Sequence, residues 1–365
     1  MIFQLDNSLV QFAAEGRDNL EIVVSVLELL SVAQREGSHL VFAELDVADG
    51  LIGMLEGRDG SARSLLLKVI NQYPRIGSLA YGVKLKALIG DFELPQVSVV
   101  EGVRRIEYPL GLVNSNLLQK SLILVENLTD ADFYRWITNA VLIDTNFSGV
   151  SLALEGYPGG GNTTAEAYDN LKANTSRLCL CIVDSDIRAP LLGPGETAKK
   201  VIKSDLIAPV VRANYHVIGA CSIENLIPFY FFEQAWRDDP NYSEKLEVYR
   251  AHYREGHWKY LQLKKNISCF ELYGGSAFSV YWSSELAAVE VGCVVDRPSC
   301  GRKSSCNEYK LPLLSGSPLG AALPLIKAAV IERQQLLPDI RVAWENIAEE
   351  ILGWCCASTA HTATA

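Results

Sequence analysis

Three segments of the chain end in acids after a run of apolar residues: Glu126 follows 122–125, Asp184 and Asp186 follow 178–183, and Glu224 comes just after 215–221. Such runs read as buried strands, and parallel neighbouring strands bring their carboxyl ends to one sheet edge, which here would gather four carboxylates. Crowded carboxylates raise one another's pKa values unless a cation neutralises them. An all-oxygen donor set suits Mg²⁺ or Mn²⁺, hard ions that keep waters and bridge to phosphate oxygens. The i, i+2 spacing of Asp184-Ser185-Asp186 can aim two carboxylates at one ion where the strand opens into a loop, and the plain alternative is a solvated turn. Beyond Glu126, Thr129 and Asp132 have the spacing of a capping box. Asp132 is therefore expected to cap a helix, while Asp130 in the first turn can serve the helix dipole and the acidic cluster.

Other chemistry is thinner. The turn 157–162, Tyr-Pro-Gly-Gly-Gly-Asn, precedes Thr163-Thr164 and can present N–H groups to phosphate or simply reverse the chain; it lacks the Gly-Lys-Ser/Thr ending of an ATP-binding loop. Two basic stretches stand out, one with Lys199, Lys200, Lys203 and Arg212, the other with Arg254, Lys259, Lys264 and Lys265 among Tyr253, Trp258 and Tyr260. They read either as a track for a phosphate backbone with rings for stacking, or as basic helix faces whose rings lie in the core. Cys293, Cys300 and Cys306 lack the paired Cys-x-x-Cys of a zinc site, Cys179, Cys181 and Cys221 sit in apolar strands, and His216 reads as a core histidine. No nucleophile elbow is present.

The elements that must position these groups follow from periodicity. Leu20, Val23, Val24, Leu27, Leu30 and Ala33 predict a helix over 17–35, with further helices over 62–72 and 79–89, so residues 1–118 read as a mainly helical domain. From 119 to 265, strands at 121–126, 150–155, 178–183 and 215–221 alternate with helices at 130–141 and 163–173, the pattern of βαβ units with a mostly parallel sheet. An α+β region is expected over 266–357, with helices at 318–336 and 339–354, and a disordered Thr/Ala-rich tail over 358–365. There is no internal repeat.

With 365 residues, 49% hydrophobic and 21% charged, the chain has the composition of a folded globular protein, and its length suggests two or three domains. Its formal charge of −10 argues against a surface that coats nucleic acid or anionic membrane everywhere, so a phosphate partner must be met locally. Seven of those charges come from residues 1–50, with nine acids and two bases. No secretory signal and no run of ~18 apolar residues is visible, and nine cysteines without dense spacing suit a reducing compartment. A cytoplasmic protein is expected.

The order Glu126-x-x-x-Asp130, glycine turn, Asp184-x-Asp186 and Ile223-Glu224-Asn225-Leu226 resembles the TOPRIM domain over about 119–265, in particular the branch of OLD-family nucleases and related prokaryotic antiviral effectors. The resemblance implies an Mg²⁺- or Mn²⁺-dependent endonuclease acting on DNA or RNA. Glu126 would be metal ligand or acid/base, Asp184, Asp186 and Glu224 metal ligands, and Asp130 an auxiliary. The nuclease branch carries a basic residue downstream, for which Lys264 and Lys265 are the candidates, but an acid two residues ahead of it is missing, since Gln262 and Leu263 stand there. Asn127 replaces the family's glycine, a departure tolerable if the backbone is left-handed there, since Asn is the best non-Gly candidate for that region. The resemblance further implies an antiviral effector controlled by a partner such as an ATPase or sensor subunit, or by homo-oligomerisation. The rival reading is a catalytically silent interaction protein in a defence or replication complex. Strand passage and primer synthesis fit less well, because the chain lacks accessory length and a tyrosine module.

Overall fold

The computed structural model describes residues 1–143, 150–254, 256–273, 275–286, 309–331 and 335–359. The chain opens with β1 (Ile2–Leu5), α1 (Ser8–Ala14), α2 (Arg17–Arg35), β2 (Leu40–Ala43), α3 (Leu45–Met54), α4 (Ser61–Gly82), β3 (Leu85–Gly90), β4 (Gln96–Val100) and β5 (Val103–Pro109). It continues through β6 (Ser121–Val125), α5 (Leu128–Ile143), β7 (Val150–Leu152), β8 (Leu154–Pro158), α6 (Thr164–Asn174), β9 (Cys179–Val183), α7 (Glu196–Ile207) and β10 (Ala213–Val217). It ends in α8 (Phe229–Ala235), α9 (Pro240–His252), β11 (Ile267–Ser268), α10 (Ala277–Glu285), β12 (Tyr309–Leu311), α11 (Pro318–Ala328), α12 (Pro338–Cys355) and β13 (Cys356–Ser358).

These elements make two compact units that do not follow the expected division at 118, 265 and 357. One comprises Met1–Ile182, Val201–His216 and Glu345–Ala365, the other Val183–Lys200 and Val217–Trp344. The fold is α/β, and among the described residues no helix is long and apolar enough to cross a membrane.

In the first unit, residues 1–118 carry more than helices. A five-stranded sheet of order β2-β1-β3-β5-β4 runs through them, with only β4 antiparallel to its neighbour. The expected helix over 79–89 is corrected: α4 ends at Gly82 and β3 takes 85–90, every residue of it buried between β1 and β5. A short apolar run has no period that separates a doubly covered strand from a buried helix. The break expected after 72 is also absent, since α4 runs through Pro74. Proline removes one helical hydrogen bond, but Leu65, Leu66 and Val69 before it and Ile76, Leu79 and Ala80 after it are buried on the same helix. That shared burial outweighs one missing bond.

Helix α2 matches its expected span and buries Val23, Val26, Leu27, Leu30 and Ala33. It stops at a Schellman turn, with Gly37 at φ 70° and Ser38 N–H donating to the Ala33 carbonyl (2.9 Å), a backbone region where glycine has no Cβ penalty. Ser358, expected in a tail, belongs to β13, which pairs antiparallel with β7 and donates from its hydroxyl to the Gln34 carbonyl (2.5 Å).

The second sheet has the order β10-β9-β6-β8. β6 pairs parallel with β8 and β9. The bonds Cys179 N to Arg212 O and Ile218 N to Val183 O climb both strands together, so β9 and β10 are parallel as well. The strands that precede Glu126, Asp184 and Glu224 are thus consecutive and parallel, as the alternation predicts. The second unit gathers α8 to α11 and the β11–β12 pair. Its core holds Trp258, Trp282 and Trp344, whose indole N–H groups at 282 and 344 donate to the carbonyls of Arg188 (2.7 Å) and Leu226 (2.9 Å).

Candidate functional site

The residues expected to carry chemistry fall into two groups, one in each unit. In the first, Glu126 stands one residue past β6. The glycine turn folds back on this strand end: Gly159 N–H donates to Val125 O (2.6 Å) and Gly160 N–H to Glu126 O (3.2 Å). Gly160 and Gly161 are left-handed, at φ 73° and 66°, and a Cβ on Gly161 would stand 4.0 Å from Glu126 Oε2. The hydroxyls of Thr163 and Thr164 donate to the carbonyls of Gly159 (2.6 Å) and Gly161 (2.7 Å). Those bonds make it a turn that braces the Glu126 backbone, with the N–H groups of Gly159 and Gly160 already used.

Asp130 is 7% exposed, and its Oδ2 accepts the N–H of Asn127 (2.9 Å). That bond is the reciprocal half of a capping box centred on Asn127, so the cap acid is Asp130. Asp132 pairs with Arg135 at 3.4 Å on the surface. The expected Thr129/Asp132 box is corrected by two residues, because α5 already begins at Leu128. Asn127 is not left-handed either. Asp186 is left-handed instead, at φ 53°.

The second unit holds Asp184, Asp186, Glu224 and Lys264. Asp184 Oδ1 accepts the N–H of Ile223 (2.9 Å), Asp186 N–H donates to Cys221 O (2.9 Å), and Ser185 Oγ donates to Ala220 O (2.6 Å). These bonds fasten the Asp-x-Asp loop to the segment that leads into Glu224. Burial pushes the Cys221 thiol up to about 12; Asp186 and Asp184 push in the same direction, and Arg188 and Lys264 oppose them.

Glu224 lies in a 3₁₀ turn, Ile223–Leu226, opened by a capping box between Ser222 and Asn225. Its Oε1 pairs with Lys264 Nζ at 3.1 Å, while its Oε2 is buried without a hydrogen-bond partner. Geometry thus selects Lys264 as the lysine at Glu224, and Lys265 is exposed beside it.

Three contributors escaped the sequence reading. Asn225, fully buried, donates to the carbonyls of Trp258 (2.6 Å) and Leu261 (2.9 Å), which fixes the segment leading to Lys264. Arg188, two residues past Asp186, stands 3.4 Å from Glu271 and 3.5 Å from Gln262. Gly195 donates its N–H to Ser185 O (2.8 Å), and a Cβ there would stand 2.4 Å from Asp186 Cβ. An acid two residues from another could have suggested the arginine; nothing in the local pattern marks the asparagine or the glycine. Gly195→Ala is expected to displace Asp186 and destabilise the protein by about 2 kcal/mol, an overpacking cost. Thermal melting measures the loss, and an unchanged melting temperature would refute the close approach.

The basic stretches are partly structural. Tyr253 and Trp258 are buried, Arg254 pairs with Glu285 (2.9 Å), Lys199 with Glu196 (2.9 Å), and Arg212 donates to Thr175 O (2.7 Å). Burial lowers the basicity of His216. Cys293, Cys300 and Cys306 lie outside the described residues. No family model, no curated protein and no solved structure matches the chain.

Among the described residues no three His, Cys, Asp or Glu side chains form a group able to enclose a metal ion. Mg²⁺ commonly takes only one or two carboxylates and completes its shell with water and phosphate oxygens. The buried, unpartnered Oε2 of Glu224 is a donor of that kind.

Proposed function

We propose that the protein is a metal-dependent endonuclease with a TOPRIM-like catalytic sheet, hydrolysing phosphodiester bonds in DNA or RNA. The observation that carries the reading is Glu224: one carboxylate oxygen faces Lys264 and the other is buried with nothing to bond it. An unmatched buried carboxylate oxygen is costly, and a hard cation relieves that cost. Glu224, with one of Asp184 and Asp186, would supply carboxylate oxygens to Mg²⁺ or Mn²⁺, the rest of the shell being water and phosphate oxygens. The resemblance implies Glu126 as a ligand or proton acceptor, with Asp130 as the brace of its helix. The ion, when bound, supplies Lewis acidity to a phosphate oxygen and to an attacking water. Lys264 neutralises charge that develops on the phosphate. Control by a partner protein, such as an ATPase or sensor subunit, and a role in antiviral defence belong to the same proposal.

The silent reading draws on a different observation: Asp130 and Asp184 each spend an oxygen on a backbone N–H. The two separate in one assay, in which the protein is incubated with supercoiled plasmid and with total RNA in Mg²⁺ or Mn²⁺. Cleavage is expected, blocked by chelator and reduced at least about 100-fold in Glu126→Gln and Glu224→Gln. Intact nucleic acid under every condition, with Mn²⁺ binding also absent by calorimetry, would leave the silent reading standing.

A further inference from the structure

A cleft of about 320 Å³ opens in the first unit between α2 and α4. Ser31, Gln34 and Arg35 line it from α2, and Ser61, Ser64 and Lys68 from α4, over an apolar floor at Leu65. Ser31 and Arg35 are four residues apart, and Ser61, Ser64 and Lys68 are spaced by three and four. Each helix therefore contributes a single face. None of the lining residues is acidic, in a chain whose formal charge is −10. Two basic residues and three serines line it instead.

The start of α4 adds to this. Gly60 at its N-cap has no side chain to offer, and no acid stands in the first turn. The first N–H groups of a helix have no intrahelical acceptor, and the open end of a 22-residue helix attracts anions.

Gln34 is the independent sign that something is to be bound. It is 1% exposed, and its Oε1 accepts the N–H of Val41 (2.7 Å), which fixes the orientation of the amide. Its Nε2 is then a buried donor with no partner, on a residue that lines the cleft. Native proteins rarely leave a buried donor unmatched, and an anionic oxygen in the cleft supplies the acceptor.

We propose that this cleft binds the phosphate group of a small phosphate monoester, a nucleotide or sugar phosphate. The volume is at the low end for small-molecule sites and accommodates a phosphate with a ribose-sized group. Arg35 and Lys68 supply charge, Ser61 and Ser64 hydroxyl donors beside the helix end, and Gln34 the buried donor.

The test is calorimetry and thermal melting of the full chain with inorganic phosphate, ribose 5-phosphate, adenosine 5′-monophosphate and phosphate-free adenosine. Phosphate-bearing ligands are expected to raise the melting temperature in proportion to the logarithm of their concentration, and adenosine to leave it unchanged. The double variant Arg35→Gln, Lys68→Gln is expected to weaken binding at least about tenfold with its own ligand-free melting temperature near wild type. Preference for the esters over inorganic phosphate identifies an organic phosphate; equal response identifies free phosphate with the same chemistry. Equal binding by wild type and double variant, no response to about 10 mM of any phosphate, or binding only of single-stranded DNA would each overturn the proposal.

Discussion

Asn225→Ala is expected to lower the unfolding free energy by about 4 kcal/mol, from several buried groups left unpaired at once. The side chain is fully buried and uses all four of its hydrogen-bonding positions. Nδ2 donates to Trp258 O (2.6 Å) and Leu261 O (2.9 Å), and Oδ1 accepts from the N–H and the hydroxyl of Ser222 (both 2.9 Å). Alanine leaves the Leu261 carbonyl and the Ser222 N–H without partners, leaves Trp258 O with only the Leu261 N–H (3.3 Å), and opens a void. Water has poor access, because the buried Tyr253 stands beside it, its single O–H shared between Asn225 O (2.7 Å) and Ile227 O. Asn225→Asp is close to isosteric, yet it turns an acceptor toward two carbonyls and is expected to be no milder. Urea unfolding measures both, and a loss under about 1 kcal/mol in either variant would contradict the assigned network. The same substitution is expected to weaken the proposed nuclease activity, since Lys264 lies three residues past one of the two carbonyls that Asn225 holds.

Lys172→Met is expected to cost about 3 kcal/mol, the order seen when one member of a buried charged network is removed. Lys172 is 6% exposed in α6. Its ammonium donates to Ser204 O (2.9 Å), Ser204 Oγ (2.7 Å) and Ala208 O (3.2 Å), and lies 3.2 Å from Asp169. Two of those acceptors are carbonyls at the end of α7, where the helix dipole favours a cation. The ammonium also sits 4.7 Å from the centre of the Tyr168 ring, whose hydroxyl donates to Asp205 (2.7 Å). Methionine keeps the apolar stem and removes only the charge and its donors, so the variant isolates the polar contribution. Wild-type stability in Lys172→Met would mean that these bonds contribute nothing net, and the packing of α6 on α7 would then rest on apolar contacts alone.

Neither residue could have been ranked from its neighbours in the chain. Lys172 reads as one more cation on an exposed helix face, and Asn225 as the companion of an acid. Their partners stand 32 and 36 residues further along in the clearest cases, Ser204 and Leu261. Local pattern carries no information about such distances.

What the amino-acid order determined alone was local and periodic. The span of α2, the apolar runs of β6 and β9, and the alternation that made β6, β9 and β10 consecutive parallel strands follow from which residues must face away from water over a few turns or pleats. Tertiary structure decided the rest. It made a strand of 85–90 because those residues are covered on both faces between β1 and β5. It moved the cap from Asp132 to Asp130, because a bond to the Asn127 N–H depends on the residue at which α5 begins. It gave Lys264 rather than Lys265 to Glu224, since adjacent side chains leave a backbone in different directions and only one can meet a buried carboxylate. Burial period is written along the chain, whereas the pairing of polar groups is settled only when distant segments close over one another.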